Sequence, residues 1–505
     1  MAAEYELTSH DGIPVFSLPD SPLVSGALVF AVGRRDETPR SAGLAHLVEH
    51  LVMDRARARG QSVNAFTSDD SIAFVARGDA DLVVRFLRDA ARAISTLSSI
   101  TPDEIVAQQK VIAVELGEGH SHPGLGALSE RFGAKGLGLL DLGAPAHTAH
   151  GVEEVVDFVR RWLHRENAAV VVTGLEAGTI DVSLPAPSLH GSLDRDPCTD
   201  TGLSGYTASV GPGVTLSLLM QGGPSEALTL GIAGIQNTLM NELRHERHLV
   251  YAVDVFVGDW STTALFAAFH LEVPAEKAAE VAAAACEILR RITSSGVDPE
   301  ARREAEEDWR AAFRDPEARA EGLLSHAVAV LRGTSRPGRT PIDPSTVSEA
   351  ALATVLSASM PTLLVSVEVT ALEGDDAKLG AELQLAPAPL EPPFYATLTQ
   401  AQRIRELSRP GVAVFSPRLF RGLRGHRLVI DDERVTYFAP ETGAYEIIWR
   451  EVVLARRDDA EDSWTLVSSR GGIIGIDGAD WRGSGSLRKV LDERIPVESR
   501  FVAAM

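Results

Sequence analysis

The first 390 of the chain's 505 residues read as one pattern used twice. In the first run, a strand at Ala27 to Val32 leads to a helix near Gly43, paired strands between Asn64 and Arg77, a helix from Asp81 to Leu97, and another helix opened by T-P-D-E at Thr101 to Glu104. The second run keeps that order. It has a strand at Val214 to Met220, a helix from Glu226 to Arg244, strands at Val250 to Val255 and Ala264 to Val273, a helix from Glu276 to Ile292, and V-D-P-E at Val297 to Glu300. Groups of strands with helices between them bury their apolar faces as stacked layers, so each run predicts an α+β unit, an antiparallel-rich sheet covered by helices.

A chain of this length suits two to four domains. The expected division is a first half at 1–183, a linker at 184–205, a second half at 206–384, a proline-rich linker at 385–393 and a C-terminal unit at 394–505. In that last unit, short apolar runs (GVAVFSP, HRLVIDD, RVTYFAP, YEIIWREVVLARR, SWTLVSS, GGIIGID) precede a helix at Ser486 to Glu493. Many short strands and one closing helix predict a small β-barrel or sandwich. In pattern alone it resembles a pleckstrin-homology-like domain.

Within the first run, GLAHLVEHLVMDR (Gly43 to Arg55) places His46, Glu49 and His50 at the spacing H-x-x-E-H. On a helix, positions i, i+3 and i+4 share a face, so two imidazoles and a carboxylate converge. Two imidazoles so placed can hold zinc, and the carboxylate can take a proton from water. By chance the pattern arises about 0.03 times in a chain of this length and composition. Leu44, Leu47, Val48 and Leu51 surround the trio with an apolar stripe, so the histidines need partners inside the protein.

A catalytic zinc site needs a third protein ligand and an open position. The helix opened by Thr101 offers Glu104, Glu115 and Glu118. Glu104 completes a capping box with Thr101, and Glu118 lies in a glycine-flanked end. Glu115, on the face of Val111 and Ile112, is preferred.

With these residues in view, GLAHLVEHLVMD, NAFTSDDSIAFVARG (Asn64 to Gly78) and QQKVIAVE (Gln108 to Glu115) resemble the pitrilysin/insulinase family of inverzincin metallopeptidases, in its two-half, processing-peptidase-like form. The resemblance implies that His46, His50 and Glu115 bind one Zn²⁺ per chain and that Glu49 is the general base. It implies that Asn64, Ala65, Phe66 and Thr67 lie on a substrate-binding edge strand. LMNELRHERHLVYAVDV (Leu239 to Val255) is similar to a family segment whose arginine and tyrosine, here Arg244 and Tyr251, steady the tetrahedral intermediate. In two-half members that pair comes from a second subunit, so a homodimer is implied. The chain departs from the pattern at Gln108, where relatives often carry a glutamate, and in a short segment after the motif, Arg55 to Gln61.

The formal net charge of −22 disfavours nucleic acid or an anionic membrane as the main partner. From residue 391 onward basic and acidic residues balance at 17 each, so the excess falls on the two halves. Seven arginines between Arg403 and Arg427 face one acid, Glu406; a solvated segment, or a dock onto the acidic halves, is expected there rather than a phosphate site. Only two cysteines, Cys198 and Cys286, and an N-terminus without a basic start or apolar core point to a reduced, cytoplasmic setting. No stretch is long and apolar enough to span a bilayer. The expected activity is zinc-dependent endopeptidase; the alternative is a scaffold of the same fold without turnover. Laying T-P-D-E on V-D-P-E puts Ala311 where Glu115 stands, so one zinc site is expected per chain.

Overall fold

The computed structural model describes residues 5–57, 60, 62–117, 126–145, 149–187, 202–209, 211–221, 226–261, 264–334, 347–368, 376–388, 411–419, 421–440, 443–458 and 462–502. Much of both expected linkers, Cys198, Glu118 and Arg403, Arg405 and Arg409 lie outside the described residues.

The first half holds β1 (Glu6–His10), β2 (Ile13–Leu18), β3 (Ser25–Phe30), α1 (Leu44–Arg55), β4 (Val63–Thr67), β5 (Ile72–Arg77), α2 (Ala80–Thr96), α3 (Pro102–Gly117), α4 (Gly126–Phe132), α5 (Leu139–Leu142), α6 (Val152–Trp162) and β6 (Ala168–Thr173). The second holds β7 (Gly205–Ser209), β8 (Val214–Gln221), α7 (Glu226–Leu239), β9 (Val253–Ser261), β10 (Ala264–Leu271), α8 (Ala278–Ser295), α9 (Pro299–Arg314), α10 (Pro316–Leu331), α11 (Glu349–Ser359), β11 (Leu364–Glu368) and α12 (Asp376–Leu383). Their sheets run β1-β2-β6-β3-β5-β4 and β7-β11-β8-β10-β9. Each contains one parallel pair, β2 with β6 and β7 with β11, and is otherwise antiparallel. Apart from β1, the two sheets match strand for strand. The duplicated α+β architecture is therefore present.

What joins the halves is an exchange of helices. One face of the first sheet packs on α1, α2 and α6. Its other face, with Phe16, Val29 and Val171, is covered by Leu323, Ala327 and Val328 of α10, from the second half. Reciprocally, Ala127, Leu128 and Phe132 of α4 cover Leu219, Phe266 and Ala268 on the second sheet. Strands covered on both faces lose the alternation of a half-buried strand. Accordingly every residue of β6 and of β10 is buried.

α4 also carries charge into this junction. Arg131 is fully buried; its Nε donates to Ser217 Oγ at 2.9 Å, and its Nη2 donates to the carbonyls of Ser217, at 2.8 Å, and of Thr362. Glu130 beside it accepts from Ser366 Oγ of β11. Burial pushes the Glu130 carboxyl up to about 8, the Ser366 bond opposing and Asp141 adding to the rise.

The C-terminal unit contains β12 (Ala413–Phe415), β13 (Arg427–Ile430), β14 (Arg434–Ala439), β15 (Gly443–Ile448), β16 (Val452–Asp458), β17 (Ser463–Ser468), β18 (Ile473–Asp477), α13 (Ser484–Arg494) and β19 (Arg500–Val502). Two four-stranded sheets, β12-β13-β14-β15 and β18-β17-β16-β19, share one core, which Leu487 and Leu491 of α13 help to fill. This matches the expected small β unit with a closing helix. The unit docks on α5 and the turn before it, where Ala134, Leu139 and Leu142 pack on Leu454 and Val467. Approach is closest at Gly133, in the left-handed region at φ 64°, where a Cβ would lie 2.5 Å from the Ser469 carbonyl oxygen.

Three expectations need correction. The helix expected at Glu226 to Arg244 is α-helical only to Leu239 and continues as a π-helical turn through Met240–Glu246. The strand expected at Val250 to Val255 starts at Val253 and runs to Ser261, because Tyr251 and Ala252 are held in a loop by backbone bonds to Glu272. The run YEIIWREVVLARR is broken by a 3₁₀ turn at Trp449–Glu451, which puts its ends in different sheets.

Two measurements test the junction. Arg131→Ala should lower stability by about 3–5 kcal/mol, because it leaves buried carbonyls without donors. Between pH 4.5 and about 8 the folded chain keeps a proton on Glu130 that the unfolded chain has lost, so stability falls as pH rises across that window. Glu130→Gln should flatten that slope in urea midpoints measured from pH 5 to 8.

Candidate metal centre

The motif helix α1 has no side-chain cap of its own, since its N-cap is Gly43 at φ 95°. The Glu37 carboxylate caps it instead from six residues upstream, accepting the Gly43 N–H at 3.0 Å and the Ala45 N–H at 2.7 Å. An anion there also suits the positive end of the helix dipole. Burial pushes Glu37 up to about 7, against the pull of those backbone bonds. Next to it, Asp36 takes a bidentate pair from Arg332, at 2.8 and 3.1 Å. Arg332 follows α10, so the exchanged helix braces the turn that caps α1.

The other end of α1 is clamped to α3. Arg55 donates to both oxygens of Glu104, at 3.0 and 3.1 Å, and to the Ser99 carbonyl at 3.2 Å. Glu104 meanwhile accepts the N–H of Thr101 at 2.8 Å, so the expected capping box is present and also anchors the motif helix. With that end fixed, α3 runs beside α1 and carries Glu115 to the histidines.

There the Nε2 atoms of His46 and His50 stand 3.1 Å apart. Glu115 Oε2 lies 3.7 Å from the first and 3.4 Å from the second. Zinc–nitrogen bonds of about 2.0–2.1 Å put tetrahedral donors roughly 3.3–3.4 Å apart, so the three atoms fit one small cation. A shared cation also explains two imidazole nitrogens pointing at one another, which in neutral rings would set lone pair against lone pair unless a proton lay between. Among the described residues this is the one group of three or more such donors close enough for a metal.

Glu49 sits beside the cluster, 7% exposed, and accepts a 2.7 Å hydrogen bond from Thr67 Oγ1. Burial pushes its carboxyl up to about 7; the Thr67 bond opposes the rise and Glu115 adds to it. Thr67 ends β4, the edge of the first sheet, on which Asn64 and Phe66 are exposed and Ala65 is half-buried. Thr67 therefore holds the carboxylate as well as sharing the expected edge strand.

The route to Glu115 needs one amendment. Val111 and Val114 are 51% and 71% exposed, and the Glu115 side chain is itself 57% exposed, so apolar neighbours do not turn it inward. Ile105, Gln109 and Ile112 form the buried face, and Glu115 flanks it at the open rim. Gln108, in the departing position, is half-buried.

Arg244 and Tyr251 are brought together, with the guanidinium 5.6 Å from the ring centroid and Tyr251 70% exposed. Among the described residues, no hydrogen bond or ion pair links either to His46, His50 or Glu115. Sequence reasoning missed Glu37, Arg55 and Arg332. For Glu37 a signal existed: a glycine N-cap supplies no side chain, and R-R-D-E lies just upstream.

One segment of the chain and most of its fold have known counterparts. Residues 16–132, which include all four of His46, Glu49, His50 and Glu115, match the family described as insulinase (peptidase family M16). No curated protein matches the chain in sequence. Among solved structures, it is similar to a protease from Helicobacter pylori, at TM-score 0.59 and 13% identity over 73% of this chain and 100% of that one. A chain of complex III2 from Candida albicans gives 0.58 and 12%, over 75% and 99%. A peptidase M16 inactive domain from Pseudomonas fluorescens gives 0.55 and 12%, over 72% and 97%. At such identities the likeness is one of fold.

Glu37→Ala should lower the unfolding free energy by roughly 1–3 kcal/mol, the range for losing an anionic cap with buried N–H groups left unpaired. Glu37→Gln should cost less, since its amide oxygen can still accept one of the two bonds. Thermal unfolding of the three proteins side by side checks the order.

Proposed function

We propose that this chain carries an insulinase-type peptidase domain acting as a zinc-dependent endopeptidase. The observation that carries the reading is the convergence of His46, His50 and Glu115 on one point, with a sealed carboxylate, Glu49, next to them. His46, His50 and Glu115 would hold one zinc per chain. Bound there, zinc supplies Lewis acidity, lowers the pKa of water and draws the neighbouring Glu49 carboxyl down.

The chain's own residues do the rest. β5 occupies one side of β4 and leaves the other side's N–H and C=O groups open, so an extended peptide can add as a further strand. Asn64, Ala65 and Phe66 would line that peptide, and Thr67 keeps Glu49 pointed at the scissile bond. Glu49 takes the proton of the attacking water and passes it to the leaving amine. Arg244 and Tyr251 form a paired donor surface suited to an oxyanion, and we assign them to the site of a second copy, making a homodimer the working form. The same reading divides the chain into halves at 1–183 and 206–384 and a pleckstrin-homology-like unit at 394–505, and places the protein in the cytoplasm. No helix among the described residues is long and apolar enough to cross a membrane.

A second reading, a scaffold or binding protein of the same fold without turnover, is favoured by the likeness to a domain described as inactive. One set of measurements separates them. Purified protein should contain about one zinc per chain, and a chelator should stop cleavage of a mixed peptide library. Glu49→Gln should keep the metal and lose hydrolysis by a factor of about 10² or more. Zinc without cleavage, or no zinc and no cleavage, supports the scaffold or binding protein, and protein that takes up no zinc sinks the peptidase reading.

A further inference from the structure

Where the C-terminal unit meets the two halves there is a cavity of about 480 Å³, in the size range of a small-ligand site. Its walls come from both partners. Asp141 and Leu142 belong to α5, and the rest comes from the C-terminal unit: β14, β15, β18, the turn after β18, and Leu423 and Gly472 from its loops.

Three aromatic residues and three carboxylates define its chemistry. Tyr437 and Tyr445 face each other as direct cross-strand partners on β14 and β15. Trp481 meets Tyr437 at 89° with centroids 6.0 Å apart, so the rings form a corner. Asp477 and Asp480 supply the charge, while burial pushes the Asp141 carboxyl above its usual range, and no Lys, Arg or His is among the described residues lining the space. Asp141 has one oxygen, Oδ2, held by Ser129 Oγ. Asp477 spends one oxygen on the Ala479 N–H at 2.7 Å.

Nearby arginines do not fill the space. Arg418 lies behind Trp481, donating to its carbonyl at 3.0 Å and to Ser484. Arg421 reaches Asp480 only loosely, at 3.6 Å, with its side chain 48% exposed. A pair that exposed contributes little and can be displaced by a better-placed cation. The sign is thus opposite to that of a phosphate site, despite the arginine-rich sequence just upstream.

We propose that this composite cavity binds an organic cation, the ammonium or guanidinium of a lysine or arginine side chain or a quaternary ammonium, through the aromatic corner and the carboxylates. The site is independent of the metal centre, and its failure would leave the peptidase reading untouched. It also gives the C-terminal unit a role, since with the peptidase part it makes a pocket that neither makes alone.

The test uses the full-length protein and calorimetric titration. The probes are N-acetyl-lysine methylamide, N-acetyl-arginine methylamide and choline, with the citrulline analogue as the neutral counterpart of arginine. At least one cation should bind saturably, about tenfold or more tighter than the citrulline analogue. Preference for the amino-acid amides points to a peptide side chain, and preference for choline to a small quaternary amine. The double variant Asp477→Asn, Asp480→Asn should weaken binding about tenfold, because the amides keep the shape and lose the charge. Tyr445→Leu should do likewise and Tyr445→Phe should retain binding, which separates loss of the ring from a disturbed fold. No saturable binding of any cation up to roughly 10 mM, equal binding of the citrulline analogue, or unchanged binding in the double variant would overturn the proposal.

Discussion

Each of the two large sheets is sealed on its far side by a helix that belongs to the other half. Without α10 the first sheet would present Phe16, Val29 and Val171 to water, and without α4 the second would present Leu219, Phe266 and Ala268. Burying side chains of this size is worth about 1.5–3 kcal/mol each, so neither half is a finished domain alone. The exchange also reaches the chemistry. The residue that follows α10, Arg332, grips Asp36, and the adjacent Glu37 holds the start of the motif helix. The second half thus braces the helix that carries His46 and His50 without placing a residue in the candidate metal centre.

The duplication explains why one half holds donors and the other does not. Counterpart strands take the same places in both sheets, and β9 is an edge as β4 is. Yet α7 gives way to a π-helical turn where its counterpart α1 stays regular, and that turn presents Arg244 toward Tyr251. One scaffold carries two different clusters, two imidazoles with a carboxylate on one copy and a cation beside a phenol on the other.

Much of this could be read from the residues. The order of strands and helices, the H-x-x-E-H spacing and the T-P-D-E cap are local signals, set by periodicity and by hydrogen bonds within a turn or two. The exchanged helices could not be read that way. α4 has the sequence GALSERF, and its Glu and Arg look like a surface until Ser217 and Ser366, more than 80 residues away, satisfy them. Glu115 does stand beside His46 and His50, but not because apolar neighbours turn it inward: its neighbours at 111 and 114 are exposed, and the Arg55–Glu104 clamp sets where the helix lies. Glu37 is legible only indirectly, from the glycine N-cap that leaves the helix start without a side chain, because its partners are backbone N–H groups.

The close approach at Gly133 bears on how the molecule comes apart. The stretch from there to Leu142 leans on the second sheet through Leu137 and Leu140, and on the C-terminal unit through Ala134, Leu139 and Leu142. So few residues cannot let go of one neighbour and keep their shape for the other. That stretch therefore couples the last lobe to the second sheet, and a local loosening in the last lobe is felt in the second sheet without passing through the core of the first. Removing the last lobe would strip Ala134, Leu139 and Leu142 of their cover and loosen the segment whose Leu137 and Leu140 lie on the second sheet.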